Sequence, residues 1–186
     1  MRKPKVEESA LLAGLMSVLR SKGYDGSSLN ELAASSGLQK ASLYHRFPGG
    51  KKEIAAAVLS YVNEWADQHI YALLCNDSLS PEDRLSQVFE SIREVYGNGE
   101  EVCILRALSM DSGMQLFHDE IQAGIQKWID GFTHFGKSLG FSNGIAHYKA
   151  VQVLTHIQGS LIVSKGVGNT QPFEIALKSI AALYKK

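Results

Sequence analysis

The sequence predicts an all-α chain: an N-terminal three-helix helix-turn-helix head on a larger helical body, about nine helices in all. Three observations lead there. Apolar residues recur at three- and four-residue steps through most of the 186 residues, and no stretch alternates as a strand would. Residues 28–47, SLNELAASSGLQKASLYHRF, read as a short helix, a tight turn and a second short helix. The stretches 143–165 and 171–185 are apolar on more than one side, which a single buried face does not require.

Pro4 and Lys5 open the first helix, since proline suits a first turn that needs no N–H. Leu11, Leu12, Leu15, Val18 and Leu19 carry it to Lys22, Gly23 closes it, and it should brace the helix-turn-helix. Tyr24-Asp25-Gly26-Ser27 is turn chemistry. Ser28 with Glu31 forms a capping box, in which each side chain satisfies an orphan backbone N–H of the other's turn. Leu29, Leu32 and Ala33 give the next helix its apolar face. Gly37 stands where a helix end needs a left-handed residue. Leu38, Ala41 (or Ser42) and Phe47 are expected to complete the small core from the following helix, about Gln39–Phe47.

Pro48-Gly49-Gly50 breaks the chain, and Lys51-Lys52-Glu53 starts a long helix running to about residue 75. At about 1.5 Å rise per residue it spans nearly 40 Å, enough to belong to both head and body. Ser80-Pro81-Glu82-Asp83 starts the next helix with acids at its positive end, and Gly97-Asn98-Gly99 stops it. A shorter apolar helix covers Cys103–Met110 and ends at Asp111-Ser112-Gly113. Residues 115–139 read as one amphipathic helix finishing at Gly140. Two more follow, about 143–165 and 171–185, separated by Gly166–Thr170 and with Pro172 opening the last.

The domain reading is a DNA-binding head over 1–50 and an effector-binding and dimerisation body over 51–186. Charge agrees with that split. Residues 1–60 hold 9 Lys and Arg against 5 Asp and Glu, whereas residues 61–186 hold 10 against 14, although the whole chain is formally neutral. A basic head on an acidic body keeps one face toward phosphates. No run reaches the roughly 18–20 apolar residues of a membrane span, and Met1-Arg-Lys-Pro-Lys lacks a secretory segment, so a cytoplasmic protein without a membrane partner is expected. Cys75 and Cys103 fit no metal spacing and read as two reduced thiols, so neither metal nor cofactor is expected. Catalysis is not expected either: His118, Asp119 and Glu120 are adjacent and share no helix face, and there is no phosphate loop or nucleophile elbow.

Gln39, Lys40, Ser42, Tyr44, His45 and Arg46 make the second short helix polar and donor-rich, and no acid occurs between Glu31 and Glu53. Such a surface suits a polyanion; on pattern alone, an ordinary exposed helix of an αα-hairpin would also fit. GLQKASLYHRFPGGKKEIAAAVL resembles the signature of TetR-family repressors over about Gly23 to Leu59, where Gly, a short turn, Lys, Ser or Thr, Leu, Tyr, His and Phe precede a Lys of the next helix. The resemblance implies a second helix lying in the DNA major groove.

On that reading Tyr44, Lys40 and Ser42 position the helix on phosphates, and Lys51 or Lys52 resembles the family's phosphate-contacting Lys. Gln39, Ala41 and His45 are the candidate base readers, since Gln pairs with adenine and Ala meets a thymine methyl; Arg46 suits either role. Ser27 or Ser28 contacts a phosphate, or only caps its helix. Arg2, Lys3 and Lys5 either track phosphates or form a tail. The doubled glycine departs from the commoner Pro-Ser-Lys form and puts in question how firmly the long helix starts.

The last two helices are those the family uses as a four-helix dimer bundle, and QGSLIVSKGVGNTQPFEIALKSI resembles the LmrA/YxaF-like branch. The expected partners are therefore a second copy, joined through about 143–165 and 171–185, double-stranded operator DNA, and a small, largely apolar effector of unknown identity. Trp65, Met110, Met114, Phe117, Trp128, Phe132 and Tyr148 are the candidate effector lining, with Gln152, Thr155 and His156 as a polar trio inside the helix. Residue by residue, ordinary core packing is the competing reading.

Overall fold

A computed structural model describes residues 7–185, so Arg2, Lys3, Pro4 and Lys5, with the expectations attached to them, lie outside it. The described residues form ten helices and no strand: α1 Glu8–Gly26, α2 Leu29–Ser35, α3 Lys40–Arg46, α4 Gly50–Ala66, α5 Pro81–Val95, α6 Ile104–Leu108, α7 Asp111–Leu116, α8 His118–Ser138, α9 Asn143–Val167 and α10 Gln171–Leu183. A π-helical turn, Asp67–Tyr71, and a last turn, Ala72–Leu74, prolong α4. None of the helices is long and apolar enough to cross a membrane.

The tenth helix comes from a stretch expected to be continuous. The predicted helix 115–139 is two, because Phe117 leaves helical geometry (φ −131°, ψ 22°) and buries its ring completely. Tyr24 meets that ring edge-on at 5.3 Å. Asp111, at φ +50°, starts α7 in a left-handed conformation, and Gly113 packs against the end of α6 and Tyr24.

The chain divides into two compact units, and neither is a single run of sequence. The first takes in the chain to Val62 together with Ile104–Gln122; the second takes in Asn63–Cys103 and the chain from Ala123. The segment 104–122 joins the first unit because α6 and α7 pack on α1. There Leu11, Leu15, Leu19, Leu32, Leu43, Ile54, Val58 and Leu108 form the core. Gly14 lets α1 cross α2 closely: a Cβ there would stand 2.9 Å from the Ser35 carbonyl carbon and nearer still to its oxygen.

Local rules account for the elements of this unit. Gly23 (φ +68°, ψ −175°) interrupts α1 where the glycine was expected to close it, leaving one further turn to Gly26. The capping box forms in full: the Glu31 N–H donates to Ser28 Oγ (3.3 Å), and the Ser28 N–H donates to Glu31 Oε2 (3.0 Å). Gly37 is left-handed at φ +68°. The start of α4 is fixed rather than loosened by its glycines. Gly50 takes φ +65°, and the Gly49 N–H donates to Glu53 Oε2 at 2.6 Å.

The second unit is built on α9 against α10, with α5 and α8 alongside. Phe132, Phe135, Ala146, Ala150, Val153, Phe173, Leu177 and Ile180 fill its core. Arg84, with 4% of its side chain exposed, donates to the Leu74 carbonyl (3.1 Å), Asp77 Oδ1 (2.8 Å) and Ser138 Oγ (3.0 Å), tying the end of α4 to the end of α8. A buried cation must be matched in this way to be tolerated. Arg93 and Glu174 pair through two 3.0 Å bonds and hold α5 to α10. Cys75 and Cys103 are both free.

Candidate nucleic-acid interface

Leu43 and Phe47 anchor α3 to the core of the first unit. Leu43 thus takes the place expected of Ala41 or Ser42, both of which are exposed. At helical spacing, Ala41, Ser42 and His45 lie opposite the anchored side. Lys40 and Tyr44 flank them on one edge, Gln39 and Arg46 on the other; all are exposed, Tyr44 at 43%. Gln39 is the N-cap residue of α3, with extended backbone and no side-chain cap bond, so its amide is not used to close the helix.

Three acids of this unit are engaged, one of them by Arg46 at the edge of that face. Glu31 is bound by Lys22 and Ser28, Glu53 by the Gly49 N–H, and Glu8 by Arg46 Nη2 at 2.7 Å. The Lys22 ammonium first, and the Ser28 hydroxyl next, hold the Glu31 carboxyl down at about 2. The resulting surface offers donors and a methyl group with no carboxylate on α3, which suits a phosphate-lined groove.

The other candidates separate. Ser28 is the exposed cap, whereas Ser27 is buried and donates its hydroxyl to the Tyr24 carbonyl at 2.9 Å. Lys52 is exposed. Lys51 turns inward: its Nζ donates to the Ser27 carbonyl (3.1 Å) and the Asp25 carbonyl (3.5 Å), 4.5 Å from the centre of the Tyr24 ring. Sequence spacing could not reveal this, because its partners lie 24 and 26 residues earlier.

The effector candidates are divided between the two units. Met110, Met114 and Phe117 belong to the first unit, where both methionines are exposed and Phe117 is core. In the second unit Trp128 and Phe132 are buried, and Trp65 stacks on His69 with ring centres 4.9 Å apart. The polar trio is not inside its helix. Ala146, Ala150, Val153 and Ile157 take the buried side of α9, which leaves Tyr148 (64% exposed) and Thr155 on the opposite, outward side and Gln152 and His156 half-buried at its margins. Ile145, Val151, Ile162 and Val163 share that outward side.

A groove of about 790 Å³ in the second unit involves none of the ten. Leu85 and Phe89 of α5, Phe135 and Leu139 of α8, and Ala181 and Tyr184 at the end of α10 wall it, with Glu82 and Lys185 among the polar lining. The signal for it was the second apolar side of the last helix, which includes Ala181.

Comparison with known proteins agrees with the head. Residues 11–58, α1 through most of the first unit's part of α4, match the family described as bacterial regulatory proteins, tetR family. Over 169 residues the chain is 22% identical to the uncharacterized HTH-type transcriptional regulator YxaF of Bacillus subtilis, covering 89% of this chain and 88% of that one. It is 22% identical to the HTH-type transcriptional regulator LmrA of the same organism over 95% of both chains. A crystal structure of a TetR transcriptional regulator from Legionella pneumophila superposes with a TM-score of 0.82 at 19% identity, covering all of both chains.

Proposed function

From a chain that belongs to the TetR family of helix-turn-helix transcriptional regulators, we infer that two copies pair and present two α3 helices to a palindromic operator as a repressor. The observation that carries this reading is the acid-free outward face of α3, with Ala41, Ser42 and His45 at its centre. Gln39, Ala41 and His45 read base edges; Lys40, Ser42 and Tyr44 hold phosphates, joined by Ser28 and Lys52, with Arg46 on the edge between.

Pairing is supported by the outward side of α9 and α10. Ile145, Tyr148, Val151, Ile162, Val163, Val167 and Ile175 are large, apolar and exposed. Gly159 and Gly166, on the same side, have nothing within 4 Å of where a Cβ would stand, leaving room for a second backbone. One seven-residue helix reads too few bases for an operator; two related by a twofold axis, about 34–36 Å apart, read both halves of a palindrome.

Release by a small, largely apolar effector completes the reading. The groove beside Phe89 and Tyr184 supports it, having the size and apolar walls of ligand sites. A ligand acts only through its different affinity for the DNA-binding and released states.

The test is selection of duplexes from a random pool with the purified full-length protein, followed by titration of the selected duplex and a scrambled one at several salt concentrations. Salt-sensitive, sequence-selective binding to a palindrome by a dimer is expected. Equal binding to both duplexes would overturn the reading.

A further inference from the structure

We propose that Lys51, Asp25 and Ser112 form a clamp on the Tyr24–Ser27 turn that sets the position of the helix-turn-helix, so that Lys51 serves DNA reading as a positioning residue and not as a phosphate contact. The proposal rests on α3 reading DNA and adds how its support is held.

The turn is gripped from two sides, both within the first unit. From the start of α4, Lys51 bonds the Ser27 and Asp25 carbonyls while its ammonium lies 4.5 Å from the Tyr24 ring centre. Asp25 lies in the last turn of α1 and Ser27 in the link to α2, where the carbonyls of a helix end have no partner in the helix ladder. From α7, the Ser112 N–H donates to Asp25 Oδ2 at 3.0 Å, and the Ser112 hydroxyl donates to Asp25 Oδ1. The two donors hold the Asp25 carboxyl below its ordinary range. Phe117 packs on Tyr24 in a T-shaped pair, and Ala107 O lies 3.2 Å from where a Gly23 Cβ would be. Ser28 follows the turn directly as the cap of α2, so the turn's position is passed to α2 and, across Gly37, to α3.

The alternative role of Lys51 makes an opposite forecast. A lysine that neutralises a phosphate contributes about 0.9 to the slope of log affinity against log salt, and its loss weakens binding to every duplex. A clamp contributes nothing to that slope. Its loss misplaces the reader and lowers the preference for the selected duplex over a scrambled one.

The experiment uses the full-length chain, the pool-selected duplex and its scrambled counterpart, with Lys51→Gln, Lys51→Arg, Asp25→Asn and Ser112→Ala. Wild-type selectivity is established first; its absence would mean that α3 does not read DNA, a failure separate from this one. Lys51→Gln is expected to lower the selected-to-scrambled ratio about tenfold, the size of one charge-assisted hydrogen bond, with an unchanged salt slope. Lys51→Arg should restore most of it. Asp25→Asn and Ser112→Ala should lower the ratio in the same sense, although neither residue is on α3 and removing an acid would by charge alone tighten DNA binding. Amide exchange in residues 28–36 should quicken in all three weakened variants. Should Asp25→Asn fail to fold, Ser112→Ala, which keeps its backbone N–H bond, decides. A slope lowered by about one in Lys51→Gln, or an unchanged ratio in Ser112→Ala and Asp25→Asn, would overturn the clamp.

Discussion

Gly14 and Ser35 set the distance between α1 and α2: where a Gly14 Cβ would stand, the Ser35 peptide carbonyl already lies, its carbon at 2.9 Å. Backbone and not a flexible side chain occupies that space, so Gly14→Ala must push the helices apart. Overpacking of this kind costs about 1–3 kcal/mol. Urea unfolding should show a midpoint lowered accordingly; an unchanged midpoint would mean that the crossing is looser than described.

The proposed reading of α3 distinguishes two kinds of contact. Tyr44→Ala should weaken binding to selected and scrambled duplexes by similar factors, and Lys52→Gln should also lower the salt slope by about 0.9. Gln39→Ala should instead change the preference at one or two base pairs, worth about 1–3 kcal/mol of discrimination there. Equal losses on all duplexes for every variant would undo the assignment.

Ile162, 55% exposed on the outward side of α9, should be covered in the pair. Ile162→Asp is expected to shift sedimentation to the monomer while leaving the circular dichroism of the helices intact, and to abolish preference for the two-half palindrome. A variant that sediments as wild type would place the pairing surface elsewhere.

Glu31 gives a pH dependence of known sign. Its carboxyl, held down at about 2 when folded, has an ordinary value of about 4.3 in the unfolded chain. The bonds with Lys22 and Ser28 therefore stabilise the fold fully above that ordinary value and lose their effect as pH falls from about 4.3 toward 2. Wild type should melt higher than Glu31→Gln at pH 7, and the gap should narrow steadily as pH falls from about 4.3 toward 2. A constant gap would locate the effect in packing.

A fragment ending at Val62 should fold poorly despite containing the whole helix-turn-helix. It lacks Leu108, Phe117 and Ser112, which supply core and hydrogen bonds to α1 and the Tyr24–Ser27 turn. Its thermal transition should be broad and low; a sharp transition near that of the full chain would show those contacts to be dispensable.

What could be read from sequence was local. The Ser28–Glu31 box, the left-handed Gly37 and the helical spacing of α5, α9 and α10 each depend on residues a few positions apart, and each appears where expected. What could not be read depends on distant partners. Gly14 looks like any glycine in a helix until Ser35 is placed against it. Lys51 matches a phosphate-binding pattern, yet the carbonyls it finds belong to the preceding turn. Phe117 fits the apolar period of the helix that follows, and only its packing on Tyr24 explains why the helix breaks there. The π turn at Asp67–Tyr71 left no such mark in the period, and Ile70 remains buried through it. Tyr148 and Thr155 on α9 illustrate the reverse error: a helix apolar around much of its circumference hides which side is in.

Because the first unit takes its last piece from residues 104–122, the order of synthesis does not match the order of completion. At ~5–20 residues per second, that piece leaves the ribosome roughly 3–12 s after Val62. During that interval the nascent head carries an uncovered α1, with the places for Leu108 and Phe117 open to water. The DNA-reading end is thus made first and finished late, once part of the other unit has already been translated.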